Sequence, residues 1–145
     1  MAVATEGAAP RRVLTDWTTV AGLDGTGLLA LVTAGASPEG IHLATLGYEV
    51  FVLHADQADA DAAESAAHVH HVAAEVTALP AEWEGRFALV VALDGTVPDH
   101  VIAPQGLVMA LADGPLDHPG LTRVVAEEVR EFETVRVRTV LARLD

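Results

Sequence analysis

Apolar runs of strand length recur along the chain, each closed by small, polar or turn-forming residues. LLALVTA (28–34), YEVFVL (48–53), RFALVVAL (86–93) and GLVMALA (106–112) are almost continuously apolar. A strand buried on both faces of a parallel sheet carries this signature, whereas a half-solvated strand alternates. HHVAAEV (70–76) predicts a further strand, and TVRVRTVLARL (134–144) alternates and predicts a last one.

The intervening segments carry helix and turn signals. In SPEGIHLATLG (37–47), Ser37 can cap, Pro38 occupies the first helical position, Glu39 meets the positive helix end and Gly47 can stop the helix. Gly40 is the one residue out of keeping. ADQADADAAESAA (55–67) predicts a helix from an Asp56 cap with a solvated acidic face. LTDWTTVAGL (14–23) predicts a short helix capped by Thr15 or Asp16, and VIAP (101–104) a helical turn. LTRVVAEEVREF (121–132) has the spacing of an amphipathic helix. Residues 1–12 read as a loose tail, leaving 13–145 as one domain. Strands alternating with helices predict an α/β fold: a single doubly wound, mostly parallel sheet of about six strands with helices on both faces. Ligands bind such sheets at the carboxyl ends of the strands, which places 33–37, 54–56, 75–77 and 94–100 on one rim.

Composition narrows the function classes. The chain has 145 residues, 51% of them hydrophobic, which is enough to fill one core. The net charge is −13, and all eight basic residues are arginine. Nucleic acid and anionic membrane surfaces both need a basic footprint, so neither is expected as a partner. With no cysteine there is no disulfide, thiolate nucleophile or zinc-thiolate site. MAVATEGAAPRR lacks the order of a signal peptide, and no apolar run approaches the roughly 20 residues of a spanning helix, so a cytoplasmic protein is expected.

Several clusters invite chemistry. His68, His70 and His71 suggest a metal, with His54 as an extra ligand, but in a strand His71 points away from the other two and no metal is expected. Asp56, Asp59, Asp61 and Glu64 lack the glycine of a calcium loop and read as a solvated helix face. Asp94 and His100, both on the predicted rim, are the candidates for a general base, although loop acids after a strand also form turns. Trp17 and Trp83 read as core or edge anchors. There is no serine elbow, and without lysine there is no P-loop.

The order of segments resembles the class I SAM-dependent methyltransferases (SAM, S-adenosylmethionine). LVTAGASPEGIHLATLGYEVFVLHAD resembles that family's first strand, glycine loop, first helix and second strand. HVAAEVTALP resembles the third strand and its turn, EGRFALVVALDGTVPDH the fourth, and VIAPQGLVMAL the approach to the fifth. The resemblance implies cofactor contacts at Thr33, Gly35, Ser37, His54, Asp56, Glu75 and Val76. It also exposes departures. Leu31 stands at the loop's acid position, and Thr33 and Ser37 at two of its three glycines, where a β-branched residue is sterically poor if φ is positive. His54 stands where an acid would hold the ribose hydroxyls, and Ala88 where the fourth strand often has an acid. Few residues precede the first strand to form a lid, and FETVRVRTVLARLD has no turn residue for the family's final hairpin. The expectation is a methyltransferase-like protein with a degraded SAM site, acting as a non-catalytic or repurposed protein or as a partner subunit. An active minimal small-molecule methyltransferase and a binding module for another adenosine-containing ligand are the alternatives. The missing hairpin would leave 134–144 as an exposed edge, with Arg136, Arg138 and Arg143 guarding it or facing an acidic partner, and would invite a homodimer or a partner enzyme.

Overall fold

The computed structural model describes residues 12–34, 37–63, 65–131 and 133–144. Of the expected tail, residues 1–11 lie outside these, and Arg12 already opens a helix, α1 (Arg12–Ala21). Thr15 and Asp16 therefore sit inside α1 rather than capping it. The carbonyl of Thr15 accepts hydrogen bonds from the hydroxyls of Thr18 and Thr19.

The apolar runs form strands: β1 (Leu29–Val32), β2 (Glu49–His54), β3 (Val69–Ala73), β4 (Phe87–Ala92) and β5 (Ile102–Ala112), the last of which begins at Ile102 and so takes in most of the segment 101–104 expected as a helical turn. They pair in parallel in the order β3-β2-β1-β4-β5. α2 (Ser37–Thr45) joins β1 to β2, and α3 (Gln57–Ala62) joins β2 to β3, with Asp56 capping α3 by accepting the Asp59 amide at 2.9 Å. The chain then crosses back past β1 to β4, so the topological switch point lies between β1 and β4.

The largest correction falls at 121–132. The segment is not a helix. It is a strand, β6 (Thr122–Glu131), which folds back on β7 (Thr134–Ala142) as an antiparallel hairpin with Glu131 facing Thr134 across the turn. β7 inserts between β5 and β6, antiparallel to both. The sheet thus has seven strands, the hairpin is present, and β7 is interior rather than an edge. The described edges are β3 and β6. Arg138 is buried and ion-paired with Glu127 across the hairpin, and the Arg143 guanidinium donates to the Ile102 carbonyl at 2.6 Å, so these arginines hold the sheet together.

The two faces are covered unequally. On one, Leu14 and Trp17 of α1 and Leu43 of α2 pack on Val50, Val52, Leu89, Val91 and Met109. Gly40 is explained here. A Cβ at this position would meet Val52 Cγ2 at 2.7 Å, so only glycine lets α2 lie this close to β2. On the other face, the connections to β4 and β5 carry single 3₁₀ turns, Ala81–Trp83 and Asp99–Val101, whose Trp83 and Val101 join the cluster of Leu31, Val90, Val108 and Leu141. Phe51, Trp83 and Phe87 cluster there, with His70 stacked on Phe51 at 4.8 Å.

Candidate functional site

The carboxyl ends of β1, β2 and β4 and the segment after β3 converge on one cleft. Its first part, about 470 Å³, is bounded by Ala34, Ser37, His54, Ala55 and Asp59. A contiguous part of about 350 Å³ shares Ala34, His54 and Ala55 and adds Glu75, Val76, Asp94 and Thr96. Cavities of this size, with apolar walls and a few polar groups, suit a small ligand.

Each side chain reaches the rim for a local reason. Thr33, immediately after β1, is fully buried. Its Oγ1 accepts the Leu93 amide at 3.2 Å and lies 3.4 Å from both the Val91 carbonyl and Asp94 Oδ1, so it stitches the end of β1 to the end of β4. The residue with positive φ is not Thr33 but its neighbour Ala34, at φ 63°, so the expected steric conflict at the threonine does not arise. Gly35 lies outside the described residues. Ser37 opens α2 and reaches the cleft.

His54, the last residue of β2, is 6% exposed. Its Nε2 lies 2.9 Å from Nδ1 of His71, one strand over on β3. Burial holds His54 below the ordinary imidazole range. The neighbouring His71 pushes the same way, and Asp59 and Asp56 oppose it. His71 was legible as a residue facing away from His68 and His70, which instead bond the two carboxylate oxygens of Glu49 on the other face. Its meeting with His54 depends on the β2–β3 register, which no local signal encodes.

The other candidates divide. Glu75 and Val76 line the cleft, as does Asp94, whose Oδ1 accepts the Thr96 amide at 3.1 Å in a local turn. Asp56 is exposed and caps α3 without lining the cleft. His100 is not on this rim. The chain from 94 to 101 descends to the opposite end of β4, where the His100 carbonyl accepts the Gly85 amide at 2.9 Å. Asp94 and His100 therefore cannot act on one bound molecule. Among the described residues, no helix is long and apolar enough to cross a membrane.

No family model matches the chain, and no curated protein matches it in sequence. Its fold, by contrast, matches many solved structures. A 1,6-didemethyltoxoflavin-N1-methyltransferase of Burkholderia thailandensis, with bound S-adenosylhomocysteine, superposes with a TM-score of 0.66 at 16% identity, over 99% of this chain and 82% of that one. The N-methyltransferase NodS of Bradyrhizobium japonicum gives 0.65 at 14% identity, over 92% and 93%. The magnesium protoporphyrin IX methyltransferase of Synechocystis PCC 6803, also with bound S-adenosylhomocysteine, gives 0.65 at 13%, over 90% and 80%. The chain carries the Rossmann-like fold of the class I SAM-dependent methyltransferases.

Proposed function

We propose that this is a methyltransferase-like protein that holds an adenosyl ligand, SAM or its demethylated product, in the switch-point cleft and does not transfer a methyl group by itself. The observation that carries the reading is His54. It stands at the end of β2, where Rossmann-type sites use a carboxylate for the ribose, and it is already engaged by His71. The residues around it suit the ligand. Ala55 and Val76 offer apolar wall, and Glu75, Asp59 and Asp94 offer negative charge to a cationic sulfonium and ammonium. Bound SAM would supply an activated methyl group. Against transfer, Glu75, Asp94 and Thr96 on the rim are exposed, and methyl transfer gains from excluding water and fixing the acceptor in line.

As a subunit beside a complete enzyme, the chain would offer β6 rather than β7. This edge strand carries exposed Val124 and Val125, and unpaired edges accept a further strand. The seven-stranded sheet with its hairpin favours a second reading, an active minimal methyltransferase. Calorimetry with SAM and S-adenosylhomocysteine, together with a turnover assay of the isolated chain, separates them. The expected result is binding between micromolar and millimolar, about −8 to −4 kcal/mol, without turnover. Turnover by the chain alone would support the second reading, and no binding at millimolar ligand would overturn both.

A further inference from the structure

The acids of the cleft face no opposing charge. Asp59 borders its first part, and Glu75 and Asp94 border the second. Among the described residues that line the two parts none is arginine, and the chain has no lysine. The arginines of β7 and of the start of β6 are engaged elsewhere: Arg123 with Asp117, Arg136 with Asp113, Arg138 with Glu127 and Arg143 with the Ile102 carbonyl. Burial holds His54 below the ordinary imidazole range, so at pH 7.5 its ring adds no charge to offset the acids. The same ring, 6% exposed, borders both parts of the cleft. Among the described residues nothing engages its Nδ1, which leaves a polar atom of a buried side chain for a ligand.

Adenosyl ligands meet these walls with different charges. SAM carries a sulfonium, an ammonium and a carboxylate, and so one net positive charge. Loss of its methyl group leaves the bonding pair on sulfur, and S-adenosylhomocysteine is a thioether with no net charge. The analogue of SAM without its carboxylate carries two positive charges. Side chains that bring only negative charge attract the sulfonium and ammonium and offer the carboxylate no cation. We propose that the cleft ranks adenosyl ligands by positive charge, taking the decarboxylated analogue over SAM and SAM over S-adenosylhomocysteine. The inference rests on the adenosyl-binding reading above and names the form of the ligand that this site takes. Such a chain holds the loaded cofactor and releases the spent one, wherever the methyl group is transferred. Asp59, Glu75 and Asp94 are exposed, so each acts through a screened field, and together they set a preference of about tenfold per ligand charge.

The test is calorimetry of the full chain at pH 7.5 with S-adenosylhomocysteine, SAM and the decarboxylated analogue. In about 0.1 M salt SAM binds about tenfold more tightly than S-adenosylhomocysteine, and the analogue more tightly again. In about 1 M salt, where the Debye length falls from about 10 Å to about 3 Å, the advantage of SAM shrinks to within about threefold. Packing of the extra methyl group would not fade in this way, so the salt series separates charge from shape without any substitution. The double variant Glu75→Gln/Asp94→Asn narrows the SAM advantage at low salt and moves S-adenosylhomocysteine by less than about threefold. Glu82→Gln/Glu84→Gln removes as much charge from the connection leading to the amino end of β4 and leaves the advantage in place. S-adenosylhomocysteine binding within about threefold of SAM at low salt, a decarboxylated analogue weaker than SAM, or an advantage that salt leaves unchanged overturns the proposal and leaves the adenosyl reading intact. Absence of binding by all three ligands at millimolar concentration overturns that reading, and this proposal with it.

Discussion

Replacing Thr33 by valine tests whether the loop threonine is a ligand contact or a structural clamp. The substitution conserves volume and β-branching and removes only the hydroxyl. That hydroxyl accepts the Leu93 amide at 3.2 Å inside a fully buried junction of β1 and β4. Valine would turn a methyl group toward this N–H. A buried donor that loses its acceptor costs about 1–3 kcal/mol, so the expected loss is about 2 kcal/mol. For a chain of this size that lowers Tm by about 4–8 °C. Urea unfolding should show the midpoint fall with an unchanged slope, because the native surface is the same. Thr33→Ser, which keeps the oxygen, should recover most of the loss. Thr33→Gly, which at first sight restores a glycine loop, should cost about 3 kcal/mol or more, since it removes the hydrogen bond, the buried methyl and the backbone restraint together. S-adenosylhomocysteine affinity, measured well below the transition, should move by less than about threefold for Thr33→Val, far under the tenfold of a lost contact. A valine variant within about 0.5 kcal/mol of the parent would refute the clamp, a threshold set by ordinary neutral substitutions.

Three further outcomes are expected. Gly40→Ala should destabilise by about 1 kcal/mol, because the clash with Val52 at 2.7 Å outweighs the roughly 1 kcal/mol of helix propensity gained; adding Val52→Ala should cost less than the two changes summed, and a stabilised Gly40→Ala would contradict the close packing of α2 on β2. Ala34→Gly should stabilise by about 0.5–1 kcal/mol in thermal melts, since φ 63° strains alanine by more than glycine's extra freedom costs in the unfolded chain. Burial depresses the folded-state pKa of His54 and His42 below 6.5, so the unfolded chain binds more protons. Stability should therefore be full above that value and decline as pH falls through 6.5 toward the folded-state values, and His54→Gln should flatten urea midpoints measured from pH 7.5 to 5.5.

The chain sequence by itself determined the parallel half of the molecule. β1, β2, β4 and β5 are runs so apolar that only burial on both faces satisfies them, and Ser37-Pro38-Glu39 and Asp56 mark helix starts by local chemistry. Tertiary structure decided the rest. The spacing of apolar residues in 121–132 fits a helix, yet the segment pairs along almost its whole length with β7, and that distant hydrogen-bonded ladder overrides a weak local preference. The same holds at the site. Thr33, His54, Glu75 and Asp94 come to one rim because strand order puts them there, and His100 leaves it because its loop runs to the far end of β4. The pairing of His54 with His71 follows from the register of two strands, a relation between distant segments that no spacing along one segment encodes.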